Sequence, residues 1–507
     1  MRKILPLLAV FLFACTGTIV GSGGGGDSVD GGEDPRVDGS VISDPDAMLP
    51  QLARAAGIRV RDISVFQGVQ VPVVKDGARV EEPRPAHVIG GKNGMIGVFV
   101  DVDSGWEPRQ VVGELEIETA PGQIKRYTAT QMISGESGDD PFSSGFAFVV
   151  AGEDFTPAAK YAVTLREVAE GVEHPGETDG ARWPTAAGEF DSFETFEMNG
   201  ALNLVLVPFA YNADGSGRLP PTDEAALAKY RAVFSEMYPI AELNLTVREA
   251  VQYSGSLTGG GWSSWLDRLT QIRDDDNPPA NTYYYGIAAP RATFGQYCNG
   301  GCITGLGWVP GSGDEYGRAS VGVSFTGDVN VFTSAHEVGH NMGRNHAPCG
   351  GPSGVDGSYP YSGATLGVWG YDASTQELKE PGDHRDVMSY CSNQWISDYT
   401  YDGITHRLSG VNQTTASAAI VKPQRYRVGL VDAKGNVTWR RYSTIRSRVM
   451  GQQMIFSQRS ADGTPMDSVT GHFYRYDHLG GGMLLVPVVK GRVPATIASP
   501  LTGAVSW

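Results

Sequence analysis

Residues 336–346 read HEVGHNMGRNH, and three of the nine histidines of the chain fall within this stretch. On a helix, His336 and His340 lie four residues apart, so both imidazoles project from one face and reach a single ion. Glu337 sits beside that face, where it can hold a water next to the ion without being a ligand. Gly343 lacks a Cβ and lets the chain turn sharply, which brings His346 back as a third nitrogen. Three neutral nitrogens and one open position describe a catalytic zinc site; a structural site closes the fourth position with a protein ligand, usually cysteine. Ordinary surface histidines are the plain alternative, but by chance HExxHxxGxxH would arise on the order of once in 10^5 chains of this length and composition. Zinc lowers the pKa of water to about 7, and Glu337 can accept a proton and deliver it to a leaving amine. The expected chemistry is peptide-bond hydrolysis.

The extended motif resembles that of the metzincin metallopeptidases, whose second signature is a tight turn below the zinc that carries a methionine. Residues 386–391, DVMSYC, supply one, with Met388 as the resembling methionine. The resemblance implies that Met388 floors the site. It also implies that Tyr390 is either a fifth ligand that swings away or a hydrogen-bond donor to the tetrahedral oxyanion; a packed turn tyrosine is the alternative. Ala347, after the third histidine, matches none of the acidic, proline or serine versions that mark subgroups. The resemblance therefore stops at the metzincins as a whole, and it covers roughly residues 200 to 410.

At 507 residues the chain has material for about two to four domains. A formal charge of −17 argues against nucleic acid or an anionic membrane surface as the main partner. No apolar stretch after the N-terminus is long enough to span a bilayer.

MRKILPLLAVFLFAC, residues 1–15, has a charged start and an apolar run, as a secretory signal does. Its ending resembles a bacterial lipobox, in which Cys15 is lipidated and becomes the mature N-terminus; an ordinary signal peptide cleaved nearby is the alternative. Lipidation of Cys15 also explains an odd cysteine count, because Cys298, Cys302, Cys349 and Cys391 then remain as an even set. Three pairings are open; Cys349 with Cys391 and Cys298 with Cys302 is preferred, the first stabilising by about 3 to 4 kcal/mol through loop closure. A second zinc site is the competing idea, for which C-x3-C is poor spacing. The Gly-, Ser- and Asp-rich residues 16–47 read as a solvated tether.

From 48 to 185, short alternating runs such as MIGVFVDV and KYAVTL predict an all-β sandwich. It holds no cysteine, which excludes a thiolate cap on the zinc from this segment. His87 and His174 stand alone there and are expected to be exposed and non-catalytic. The catalytic domain opens near 200 with the strand NLVLVPFA, a helix over 222–238, the strand LNLTVRE, a helix near 261–273 and the strand TYYYGIA. The strand ASVGVSF, 319–325, is expected by resemblance to be the sheet edge that holds an extended substrate, with Asp328 capping the next helix. Residues 349–391 are expected to line the lower side of the cleft, with His384 as a surface group or an extra electrostatic one. Residues 395–409 read as a closing helix, and the β pattern returns from 415 with a hairpin turn around Lys434-Gly435-Asn436.

The sequence thus predicts a multidomain protein: an α/β (α+β) metzincin-like catalytic domain at 200–412, between β-sandwich domains at 48–185 and 415–507. A signal peptide at 1–14 and an anchor and linker at 15–47 precede them. The expected function is that of a surface-anchored zinc endopeptidase, with one Zn2+ on His336, His340 and His346, Glu337 as base and acid, and Tyr390 assisting. Its substrates would be proteins or glycoproteins, and its place the bacterial cell envelope, lipid-anchored and facing outward, or secreted, as a monomer. The alternative is a cell-surface adhesin or glycan-binding protein whose zinc only holds the fold; a fourth protein ligand on the metal would favour it.

Overall fold

The computed structural model describes residues 52–507 apart from 259, 328–329, 417–420 and 492. The expected leader, Cys15 and the tether lie outside the described residues. The described chain is a β-rich multidomain protein with few helices, and among the described residues no helix is long and apolar enough to cross a membrane.

The first domain is built from two antiparallel sheets. Strands Ile58–Phe66, Gly68–Lys75, Gly94–Val102 and Phe146–Val150 belong to one, and Arg109–Ala120, Gln123–Ile133 and Lys160–Arg166 to the other. Alternate residues of Ile58–Phe66 and Gly94–Val102, such as Ile63, Val65, Ile96 and Val98, point into a core shared with Leu115, Ile117, Val163 and Leu165. Phe66, Met95 and Phe99 lie on the opposite face under Tyr371. Gly94–Val102 is therefore apolar along most of its length, since both its faces are covered. Pairing runs past residue 185: Asp191–Ser192 adds to the second sheet and Phe196 bridges Ile89.

One strand of the first sheet comes from far downstream. Gly370–Asp372 pairs with Gly68 and Val69, and Glu377–Lys379 completes a hairpin outside it. Trp395 Nε1 donates to Gly68 O at 2.7 Å, which fastens the same junction. Part of the 349–391 loop, expected to line the cleft, thus leaves it to finish the front sheet. The ammonium of Lys92 is buried against the end of the Glu224–Met237 helix and donates to Ser235 O. The free carbonyls there offer partial negative charge, while burial holds the Lys92 pKa down to about 8.

The central domain holds a six-stranded sheet in the order Leu243–Val247, Leu202–Tyr211, Thr282–Ala288, Ala319–Val323, Gly305–Gly307, with Val251–Tyr253 also beside Leu202–Tyr211. All pairs are parallel except the last, where Gly305–Gly307 runs antiparallel to Ala319–Val323. Period-two alternation sends Tyr283, Tyr285 and Ile287 to one face and Tyr284 and Ala288 to the other. Tyr230 and Phe234 of the Glu224–Met237 helix, with Tyr238 just past its end, cover the first face, and Trp265 and Leu269 of the Trp262–Asp276 helix cover the second. Asp223 starts the former helix by accepting from Ala226 N at 3.0 Å.

Two expectations about this sheet are corrected. Ala319–Val323 is paired on both sides and is an inner strand. The edge is Gly305–Gly307, too short and too rich in glycine to carry a strand pattern. The residue at the N-cap of the Val331–Asn341 helix is Asn330, in a left-handed conformation; Asp328 lies outside the described residues. The closing helix spans Asp398–Ala416.

After it comes one continuous seven-stranded sheet rather than the expected sandwich of two. The hairpin of Gln424–Val431 and Val437–Ile445 turns at Gly435, where Asp432 accepts from Lys434 N and Asn436 N, each at 2.8 Å. Val437–Ile445 and Gly503–Ser506 are the two ends of the sheet order. Trp439 Nε1 nevertheless donates to Ser506 O at 2.6 Å, so the sheet curls until its ends meet around Phe456, Phe473 and Ile497. A curled sheet encloses a core on its own and shows the same period-two pattern as a sandwich. Its other face packs on the central domain, where Asp274 accepts from Ser447 N at 2.8 Å and Asp314 from Tyr474 Oη at 2.6 Å.

Candidate metal centre

The Val331–Asn341 helix carries His336, Glu337 and His340, all buried. Asn341 Nδ2 donates to Trp308 O at 2.9 Å and Ala319 O at 3.0 Å, which pins the helix to the sheet margin. The helix closes with a glycine cap: Gly343 N donates to His340 O at 2.8 Å and Arg344 N to Gly339 O at 3.1 Å, with φ of 80° at Gly343. This turn returns His346 to the helix face.

Each imidazole is oriented from behind by a main-chain carbonyl. His336 Nδ1 meets Val387 O at 2.7 Å, His340 Nδ1 meets Arg344 O at 2.7 Å, and His346 Nδ1 meets Ser353 O at 2.6 Å. A carbonyl only accepts, so each Nδ1 carries the proton and each Nε2 presents a lone pair. The three lone pairs converge: His340 Nε2 stands 3.1 Å from His336 Nε2 and 3.1 Å from His346 Nε2. Three acceptors at that spacing have no proton to share, and nitrogens about 2.0 Å from one ion in a tetrahedral arrangement would stand about 3.3 Å apart. The donor set fits a zinc ion. Burial lowers the pKa of all three, that of His346 to about 4, so the set is neutral and ready for a metal at pH 7.

Met388 is buried below the helix, with its sulfur where only a glycine at 339 leaves room; a Cβ there would stand 2.6 Å from Sδ. The turn that holds Met388 is organised by the buried carboxylate of Asp386, which accepts from Met388 N at 2.7 Å and Ser397 N at 2.9 Å. Disulfide Cys349–Cys391 ties this turn to the segment after His346, beside the main-chain bonds Ala347 N to Met388 O and Tyr390 N to Cys349 O, both 3.0 Å. Cys298–Cys302 closes the other disulfide, at the cleft rim. The Tyr390 ring lies 4.9 Å from that of His346 and 5.8 Å from that of His336, at the mouth of the site.

A cavity of about 360 Å³ opens onto His336 and Glu337, lined also by Thr304, Gly305, Tyr390 and others. Burial, and then the charge of Asp477, push the Glu337 pKa well above the usual carboxylate range. Elsewhere, His384 bonds Glu380 O on the surface, and His174 pairs with Glu167. His87 is half-buried, not exposed, with Asp402 and His406 close enough to form another potential metal cluster.

The residues that sequence reasoning missed are Asp477 and His478, between strands Pro465–Arg475 and Gly482–Pro487 of the last domain. Asp477 Oδ2 lies 3.5 Å from His340 Nε2 and 2.9 Å from His478 Nδ1, and Asp477 groups with Glu337 and His340. Burial alone would raise the Asp477 pKa; the adjoining His478 and His340 outweigh it and hold it below the usual range. Glu337 Oε2 and Asp477 Oδ1 are buried without a hydrogen-bond partner among the described residues, as two carboxylates facing a cation site would be. The only local hint was the glycine run 480–482 that follows them.

No curated protein matches the chain. The Peptidase M66 family model matches residues 277–419, the segment that carries the three histidines, Glu337 and the methionine turn, and the match supports a zinc metallopeptidase.

Proposed function

We propose that the chain is a zinc endopeptidase of metzincin type, exported and held at the bacterial surface by a lipid on Cys15, that cuts protein or glycoprotein substrates as a monomer. The observation that carries this reading is the convergence of three Nε2 lone pairs beside a buried glutamate, with His336 and Glu337 lining a cavity that Gly305 of the edge strand also lines. Zinc bound by His336, His340 and His346 supplies Lewis-acid activation of water and of the scissile carbonyl. Glu337 accepts the proton of the attacking water and passes it to the leaving amine. The free side of Gly305–Gly307 offers main-chain groups to an extended peptide. Tyr390, whose ring lies 4.9 Å from that of His346, would donate to the developing oxyanion or approach the metal.

The test is casein hydrolysis by the purified ectodomain, with zinc measured alongside. A chelator should abolish hydrolysis, and Glu337→Ala should keep the metal and lose the activity; hydrolysis retained in that variant would refute Glu337 as the base.

Asp477 favours a second reading. A carboxylate 3.5 Å from His340 Nε2 could close the metal site, leaving a surface adhesin or glycan-binding protein with a structural ion. Such a protein has no chemical need for Glu337 at the cavity wall. Tight glycan binding without turnover would decide for it.

A further inference from the structure

The edge of the central sheet does not stay bare. Beyond Gly307 the chain continues to Trp308, and Tyr476 of the last domain forms an antiparallel bridge with it. The two rings stack with centroids 5.0 Å apart. The three residues from Tyr476 onward then run across the metal centre. Asp477 stands beside His340 and Glu337. His478 reaches the far side, where Ser353 Oγ donates to its carbonyl at 3.2 Å.

Two cavities flank this crossing. One, of about 340 Å³, is lined by Val309, Pro310, His340, His346, Tyr476 and Asp477 among others. The other, of about 360 Å³, is lined by Thr304, Gly305, Glu337, Tyr390 and His478 among others. The edge strand runs from the second cavity toward the first as its numbering rises, and Tyr476 to His478 runs the opposite way. An extended peptide pairing antiparallel with that edge would take the same path, in the same direction, through both cavities.

We propose that Tyr476–His478 is a built-in pseudosubstrate, a segment of the last domain lying in the track of the substrate and dividing one continuous groove into two. It rests on the endopeptidase reading for the track's purpose, though not for its occupancy. With the Asp477 side chain buried between the two cavities, an extended peptide cannot run from one to the other past Glu337 until the 476–481 turn lifts. The glycines at 480 and 481, with φ of 97° at Gly481, give that turn a pivot, and the peptide that enters competes directly with it.

The experiment uses the full zinc-loaded chain and a peptide hydroxamate as probe. Hydrogen exchange over residues 474–481 should speed up when the hydroxamate binds, because the turn is displaced; unchanged or slower exchange there overturns the proposal. Asp477→Ala with His478→Ala should bind the hydroxamate about 10- to 100-fold more tightly, as follows if the open form of the native chain is populated at about 1 to 10%. Equal or weaker binding overturns it. The two readings fail separately. Tighter hydroxamate binding in the variant, with no protein cut by the native chain or the variant, keeps the pseudosubstrate and removes the peptidase; casein hydrolysis by the native chain that falls in the variant keeps the peptidase and removes the pseudosubstrate.

Discussion

The carboxylate of Glu337 lies against Gly305 so closely that a methyl group at 305 would overlap it, and a methyl at Gly307 would stand 3.1 Å from Oε2. The proposed base is therefore positioned by the missing side chains of the edge strand. Gly305→Ala should keep the metal content and lower kcat by about 10- to 100-fold, as expected when a reacting group is moved by an ångström or less. Metal analysis with steady-state kinetics checks it, and an unchanged kcat would remove the link.

Glu337→Gln keeps the size of the side chain and removes its ability to take a proton. Turnover should fall by about 10^2- to 10^4-fold at constant zinc stoichiometry. Replacing the buried, partly unpartnered carboxylate by an amide should not lower the melting temperature, which thermal denaturation of both forms would read.

Asp398 opens the last helix of the central domain, accepting from Tyr361 Oη and Tyr399 N, each at 2.7 Å. Burial raises its pKa to about 6, the bond from Tyr361 opposing the shift. A carboxyl group whose pKa rises on folding contributes stability that is fully present below about pH 4 and lost as the pH climbs through about 6. Asp398→Asn should accordingly stabilise the protein at pH 7.5, by on the order of 2 kcal/mol, and have little effect at pH 4. Denaturant titrations at the two pH values test this; a stabilisation independent of pH would contradict it.

Cys349 and Cys391 are 42 residues apart, and the loop they close is long enough for the disulfide to contribute about 3 to 4 kcal/mol. Cys298 and Cys302, only 4 apart, contribute less. Replacing the first pair by serine should lower the unfolding midpoint more than replacing the second. Zinc should remain bound in the first variant, because Ala347 N to Met388 O and Tyr390 N to Cys349 O still join the two segments.

What could be read from the sequence was what is local in it. His336, Glu337 and His340 on one helix and the glycine cap at 343 are each set within a few residues, so spacing reveals them, and the methionine turn was found by resemblance to a short motif. The helix expected near 261–273 was legible for the same reason, since Trp262, Trp265, Leu266 and Leu269 recur at helical spacing. Asp477 and His478 were not: more than a hundred residues separate them from the zinc motif, and only packing of a whole domain brings them to His340. The Gly305–Gly307 edge was missed because its glycines carry no alternation, while the strand at 319–325 was given the edge position by resemblance alone. The C-terminal sheet has the pattern of a sandwich, and its closure depends on Trp439 reaching Ser506 across the chain.

The hairpin that begins at Gly370 changes what limited proteolysis could achieve. A protease that nicked the segment between residues 185 and 200 would break one peptide bond yet leave Gly68 and Val69 zipped to Gly370 and Tyr371, and Lys92 sunk against the neighbouring helix. The two fragments would travel together through a sizing column and come apart only in denaturant. The front third of this protein is thus joined to the rest as a keystone is to its arch.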